Sequence, residues 1–425
     1  MIYEYENGIP EKVLREALEK MLSGRKITNV LILPPDYTRM YSGAGKIVAM
    51  CYEYLKTVCR VDIMPALGTH VPMTQEEWKA FFGEGVPYSR MIVHNWRNDV
   101  VKIGEVPASF VSEVSGGLVN QSIDVEVNRL LMDPSYDMII SVGQVVPHEV
   151  VGMANYSKNI FVGCGGASMI NSSHMLGAFY GMERIMGKDF SPVRRVFDYA
   201  QEHFLKDIPL TYVLTTTTNK GDEVTIHGLY IGSDRSVFEA AVKKSQEINL
   251  THMKKRLNKV VVYLDPREFK STWLGNKAIY RTRMAIADGG ELIVLAPAVG
   301  HFGEDEENDR LIRKYGYVGR EKVLKLVDDP ANADLQQNLS VAAHLIHGSS
   351  DGRFNITYCA GKLTEEEVRG VNFDYMPYEE AAAKYDPAKL TDGFNTVDGE
   401  EIFYISNPAL GLWVCDDEGD SSEKD

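Results

Sequence analysis

The stretch Tyr136-Asp137-Met138-Ile139-Ile140-Ser141-Val142-Gly143 alternates, then turns continuously apolar and stops at a glycine. That is the pattern of a strand buried on both faces, as in a parallel sheet covered by helices. It runs into Gln144-Val145-Val146-Pro147-His148, then Asn155-Tyr156-Ser157-Lys158-Asn159, Gly163-Cys164-Gly165-Gly166 and Asn171-Ser172-Ser173-His174. A polar, glycine-rich segment with two histidines and a lysine therefore follows the carboxyl end of a buried strand. Open α/β sheets hold their ligands there. Read alone, the segment is equally a structural loop with incidental histidines.

Working outward, the same strand-then-loop pattern recurs on the N-terminal side. A helical stripe over Pro10–Leu22 precedes the short strand Asn29–Leu33, stopped by Pro34-Pro35. Asp36-Tyr37-Thr38-Arg39 follows, then a helix over 46–58 and a strand over Val61–Leu67 that ends in Gly68-Thr69-His70. Thr74-Gln75-Glu76-Glu77 has the form of a capping box, and Met91–His94 reads as a further strand. Successive strand–loop–helix units imply parallel strands, with Asp36, Arg39, His70 and His148 all at carboxyl ends.

Towards the C-terminus, Leu210–Thr218 and Val224–Ile231 read as a hairpin, and His252–Asn258 as a basic linker. Strand–helix alternation then restarts: strand 259–264, one helix over Ser271–Ala287, strand Glu291–Ala296, helices near 305–327 and 334–347, and strand Phe354–Cys359. The expected fold is α/β, as two α/β domains with mainly parallel sheets and a cleft between them. The expected boundaries are 1–254 for the N-terminal domain, 259–405 for a smaller C-terminal one, and 406–425 for an acidic tail able to pack back on the N-terminal domain. Such a cleft is a common place for a small-molecule site.

Composition narrows the function classes. Of 425 residues, 44% are hydrophobic and 25% charged, an ordinary globular balance. A net charge of −15 argues against a nucleic-acid partner. The five cysteines are scattered with no CxxC pair, which fits a reduced, cytoplasmic setting better than a disulfide framework. Neither a leader peptide nor a membrane span is expected from the apolar pattern. Ser42-Gly43-Ala44-Gly45-Lys46-Ile47 fails as a P-loop, because Met40 and Ile47 stand where glycine and Ser/Thr belong. Gly163-x-Gly165 has Ser168 in place of a third glycine, so no dinucleotide fingerprint is present.

Asp36-x-Thr38-Arg39, Gly68-Thr69-His70 and the set His148, Lys158, His174, spaced by ten and sixteen residues, resemble the nickel-pincer lactate racemase family of 2-hydroxyacid racemases and epimerases. Met73–Glu77, His94–Arg97 and Thr364–Val368 resemble it too, so the likeness runs over roughly residues 30 to 385. Two departures stand out. Asn155-Tyr156-Ser157-Lys158 occupies the place of a Gly-Gly-Arg-Lys run, and Leu274 the place of a frequent glutamine.

The resemblance implies an isomerase inverting C2 of a 2-hydroxy acid by proton-coupled hydride transfer through a 2-keto acid. Its cofactor would be the nickel-pincer nucleotide, a pyridinium-3-thioamide-5-thiocarboxylic acid mononucleotide, carried covalently on Lys158. His174 would be the protein's ligand to nickel, a metal that suits imidazole. His70 and His148 would be the acid–base pair, having pKa values near working pH. Arg39 with Lys277 would hold the substrate carboxylate, and Asp36 would orient a neighbour. Thr38 and the amides of the Gly163–Gly166 turn, Gly165 and Gly166 among them, would serve the cofactor phosphate. The implied partners are a small 2-hydroxy acid and the cofactor's biosynthetic enzymes, with no nucleic acid and no membrane. Whether the substrate is lactate-like, malate-like or an aldonate such as gluconate stays open, as do the oligomeric state and the role of Leu274. A metal-dependent sugar-acid hydro-lyase and a non-catalytic nickel or cofactor binder remain the alternatives. His94, His301 and Cys164 are expected mainly as supporting or packing residues.

Overall fold

Alternation along the central strands decides which side chains go to which face of the first sheet. The computed structural model describes residues 1–416 and has two units: Met1–Tyr180 with Ile185–Asn249, and Gly181–Arg184 with the chain from Leu250. The strands of the first unit are β1 (Ile2–Glu4), β2 (Asn29–Leu33), β3 (Arg60–Ile63), β4 (Val100–Val106), β5 (Ile123–Asn128), β6 (Met138–Gln144), β7 (Pro147–His148), β8 (Gly152–Met153), β9 (Leu210–Lys220) and β10 (Glu223–Gly232). Six of them form one sheet in the order β1-β10-β9-β6-β2-β3. The four strands β9, β6, β2 and β3 run parallel, while β10 and β1 add an antiparallel edge.

Every residue of β6 is buried, as its apolar run requires. Its side chains split by parity. Ile139 joins the core on one face with Leu31, Leu33, Phe161 and Phe197. Met138, Ile140 and Val142 join the other, with Ile47, Val48 and Leu18 from the flanking helices. At roughly 1.5–3 kcal/mol per buried large aliphatic side chain, a one-residue slip of β6 would forfeit both cores together.

The second unit holds β11 (Leu250–Met253), β12 (Leu257–Tyr263), β13 (Ile286–Ala296), β14 (Asn355–Ala360), β15 (Asp374–Tyr375), β16 (Gly393–Val397), β17 (Glu400–Ile405) and β18 (Leu412–Cys415). Its main sheet has the order β15-β14-β13-β12-β17-β16, parallel except for β16. The fold is thus α/β, with mainly parallel sheets in both units.

Several elements differ from the sequence reading. Met91–His94 makes only an isolated bridge from Met91 to Ile63, while the antiparallel ribbon is β4 with β5. Ser271–Ala287 is two short helical turns, Thr272–Gly275 and Lys277–Tyr280, and β13 already begins at Ile286. The proposed linker over 252–258 is largely strand, in β11 and the start of β12. Within the expected tail, Leu412–Cys415 pairs parallel with β11; residues 417–425 of that tail lie outside the described residues. Among the described residues no helix is long and apolar enough to cross a membrane.

Candidate active site

Three loops at the carboxyl ends of β2, β3 and β6 supply the charged side chains. The first is set by Asp36, which caps the tight turn Tyr37–Ser42 by accepting from the Thr38 amide at 2.9 Å and from its hydroxyl. Its other oxygen, Oδ2, lies 2.6 Å from Nδ1 of His70. Burial alone would push this carboxyl up. The His70 ring, the Thr38 hydroxyl and the Arg39 charge outweigh that and hold it below its ordinary value. Asp36 is therefore a carboxylate, so the proton between them belongs to His70 Nδ1. The Nε2 of that ring is left as an acceptor.

The His70 loop is held against the segment after Lys158. Gly68 takes a left-handed φ of 57°, and its amide donates to the Gly163 carbonyl at 2.9 Å. A Cβ on Gly163 would come within 2.6 Å of the Ala66 Cβ, so glycine is what allows the two loops to meet.

His148 ends β7, buried, and is set the opposite way from His70. Its Nδ1 accepts from the Val150 amide at 3.1 Å, so the neutral ring carries its hydrogen on Nε2. Glu149 brings a carboxylate oxygen to 3.5 Å from the same Nδ1, and its charge also acts on Lys158 and His174. Sequence reasoning passed over Glu149; the available signal was an acid directly beside a proposed catalytic histidine.

Lys158 precedes a π-helical turn, Asn159–Gly163. Burial, then the Arg39 charge, pull its amine down to about 8, with Glu149 and Asp36 pulling the other way. Near neutral pH an appreciable fraction is therefore the nucleophilic amine. Asn159 pins the turn by donating to Ser141 Oγ at 2.9 Å and to the Leu33 carbonyl at 3.2 Å.

His174 lies in the helix Ala167–Tyr180 with Nδ1 2.6 Å from the Ile170 carbonyl. A carbonyl only accepts, so Nδ1 carries the hydrogen and the Nε2 lone pair is available to a ligand. Burial first, then the Lys158 and His70 charges, push the ring down to about 4, which keeps it neutral through the physiological range. Asp36, Arg39, His70, Glu149, Lys158 and His174 thus act on one another as one cluster, and His148 joins it through Glu149.

The remaining expectations have other surroundings. Lys277, in the second unit, is buried with Nζ 2.8 Å from the equally buried Glu268. A Cβ on Gly165 would strike the Phe161 carbonyl, and one on Gly166 the Glu126 side chain, so packing accounts for both glycines. The same Glu126 carboxylate accepts from the Ser168 amide at 3.1 Å, at the start of the helix that follows the turn expected to serve a phosphate. His94 is structural: its ring bridges the Gly165 carbonyl at 3.0 Å and Asn128 at 2.9 Å. His301 turns its Nδ1 to the Gly303 carbonyl at 2.6 Å. Cys164 is buried in the core, its thiol pushed up by burial.

No curated protein matches the chain. A Thermotoga maritima protein solved by a structural genomics consortium is similar with a TM-score of 0.84 and 24% identity, covering 97% of this chain and 100% of its own. The lactate racemase apoprotein from Thermoanaerobacterium thermosaccharolyticum is similar with a TM-score of 0.64 and 18% identity, covering 96% of this chain and 90% of its own. At these identities both speak for the fold. Residues 6–187, which contain every residue of the cluster, match the family model of the lactate racemase N-terminal domain. The likeness to the lactate racemase family thus rests on the N-terminal part of the chain.

Proposed function

We propose that this chain is a 2-hydroxy acid racemase or epimerase that carries a nickel-pincer nucleotide on Lys158, with His174 as its ligand to nickel. One observation supports this above the others: the three histidines of one cluster are held in complementary proton states, beside a half-buried lysine whose amine is brought to about 8. The residues fit the group. Lys158 offers a nucleophilic amine, and His174 a neutral imidazole whose bond to the Ile170 carbonyl orients Nε2 as a donor to metal. The chemistry supplied by that group when bound is acceptance and return of the C2 hydride.

The chain's own side chains do the rest. Arg39 takes the substrate carboxylate through its guanidinium fork, since Lys277 is already engaged by Glu268. Nε2 of His70 accepts the C2 hydroxyl proton, and Asp36 holds the tautomer and offsets the imidazolium charge that results. Loss of that proton and of the C2 hydride leaves a 2-keto acid. Hydride returned to the opposite face of C2 needs a proton at oxygen, which His148 supplies. To do so His148 must enter the turnover protonated, taking a proton from solvent at Nδ1 in place of the Val150 bond, with the Glu149 carboxylate 3.5 Å away offsetting the charge.

Expression together with cofactor-biosynthesis enzymes tests the reading. Peptide mapping should place the added mass on the Lys158 peptide, with one nickel per loaded chain and inversion of a 2-hydroxy acid. An adduct on another lysine, or inversion without any adduct, would refute it. Loading without activity towards any 2-hydroxy acid would indicate a cofactor-binding homologue instead.

A further inference from the structure

The loop that presents Lys158 is strained, and one buried guanidinium bonds it at three points. Asn155 and Tyr156 both have positive φ, 67° and 55°, in a region where non-glycine residues are disfavoured. Consecutive strained residues persist only where their surroundings fix them. Arg194, 1% exposed on the helix Pro192–Phe204, supplies that constraint. Its Nη2 donates to the carbonyls of Met153 at 2.7 Å and Asn155 at 3.2 Å, and its Nη1 to Ser157 Oγ at 2.7 Å. These contacts bracket the strained pair on both sides. The Asn155 carbonyl also accepts the amide of Lys158 at 3.3 Å, so the guanidinium bonds the same oxygen that ends the turn into the lysine.

The guanidinium is itself well fixed. Its plane lies 4.3 Å from the Phe238 ring, on which Tyr156 also stacks at 5.1 Å. Ser157 passes its own hydrogen to Asp198 at 3.2 Å, and Asp198 is paired with Arg235. The helix that bears Arg194 starts at Ser191, whose hydroxyl donates to the Val151 carbonyl at 3.0 Å. Helix and loop are thereby tied together at both ends of the constrained segment. No group in this network belongs to the cluster that handles substrate.

We infer that Arg194 is the positioning residue for Lys158, clamping the strained Asn155-Tyr156 backbone so that the amine is delivered into the site. What Lys158 carries rests on the proposed function; that Arg194 sets its loop does not. Arg194 also places a positive charge near the amine, a minor contribution beside burial and Arg39.

Two readouts test this without relying on turnover: hydrogen exchange of the Lys158 and Asn159 amides, and adduct occupancy at Lys158 after co-expression with the cofactor-biosynthesis enzymes. In Arg194→Met, exchange at those two amides should rise at least tenfold and occupancy fall at least tenfold, while amides of β6 stay protected. Arg194→Lys keeps a donor and a charge and should recover at least half of the occupancy. Wild-type exchange and occupancy in Arg194→Met would overturn the inference, as would failure of Arg194→Lys to recover either. If Arg194→Met does not fold, Ser157→Ala decides the matter. Losing one of three acceptors should raise exchange at Lys158 at least threefold, and an unchanged rate would refute the clamp. A wild-type protein with no adduct would refute the proposed function, and the exchange arm would still judge Arg194.

Discussion

Lys158 is half-buried and Lys277 buried, and the protein treats them in opposite ways. Lys277 has a buried carboxylate at 2.8 Å and lies over the Phe269 ring, an arrangement that keeps an ammonium charged and still. Lys158 has Arg39 as its strongest charged neighbour and is pulled down to about 8, an arrangement that favours the neutral amine. Withdrawing a lysine from water is expensive in either case. At Lys277 a carboxylate partner offsets that expense; at Lys158 the lowered amine fits the chemistry proposed for it. Sequence alone marked both as functional, and only their surroundings separate them.

The comparison breaks most sharply by exchanging the two roles. Lys158→Arg retains charge and bulk but cannot form an amide-type linkage, so adduct and inversion should both disappear, a loss of at least a thousandfold in kcat. Lys277→Met should leave the adduct in place. An adduct surviving in Lys158→Arg would end the distinction.

Glu268→Gln should destabilise the second unit by about 3–5 kcal/mol, because it removes the carboxylate charge 2.8 Å from the buried Lys277 ammonium. Urea unfolding measures this. A change below about 1 kcal/mol would mean that Lys277 is not held as a charged pair.

Arg39 is the neighbour that most distinguishes the Lys158 site. Arg39→Lys keeps the charge and loses the bidentate fork, so kcat/KM should fall by about 1.5–3 kcal/mol of transition-state binding, with loading unchanged. Wild-type kcat/KM would remove Arg39 from carboxylate binding.

The smallest effect is on stability against pH. The amine of Lys158 in the folded protein, at about 8, lies below the ordinary lysine value of roughly 10.4 in the unfolded chain. Between these values the unfolded chain binds more protons, so this group's contribution to stability rises with pH across that window and is lost as pH falls through 8. Urea midpoints of the cofactor-free protein at pH 7 and pH 9.5 should show that rise. Lys158→Met should flatten it and be the more stable of the two at pH 7. A wild-type slope unchanged in Lys158→Met would contradict the amine's perturbed state.

The parts of the fold most legible from sequence were those where one physical pattern acts alone. The apolar runs of β2, β3, β6, β12 and β14, each stopped near glycine or proline, announce parallel strands buried on both faces. The ribbon of β4 and β5 was missed because a bulge between Lys102 and Gly104 interrupts its alternation, and Lys102 pairs outward with Asp124. Met91–His94 looks like a strand because it is apolar, yet it is held by one bridge and by the ring of His94. Helical spacing over 271–287 conceals a break at Asn276, where ψ of −2° ends the first turn.

The candidate site divides in the same way. Residue types at strand ends pointed to Asp36, His70, Lys158 and His174, but proton positions depend on what each ring nitrogen meets. The Asp36 carboxylate, the Val150 amide and the Ile170 carbonyl are contacts between residues that no spacing reveals as a set. Arg194 escaped notice because its work is done on backbone carbonyls more than thirty residues away, without any local motif.

In the proposed reaction the Lys158 cluster inverts C2 by hydride transfer, with His70 and His148 moving only the hydroxyl proton. The most direct measurement uses loaded enzyme in ordinary water with a 2-hydroxy acid deuterated at C2. Inverted product that keeps most of its deuterium is the predicted result, because the C2 hydrogen then travels as hydride and returns to the same carbon. Rapid replacement by solvent hydrogen during turnover would mean deprotonation at C2 and would contradict the account.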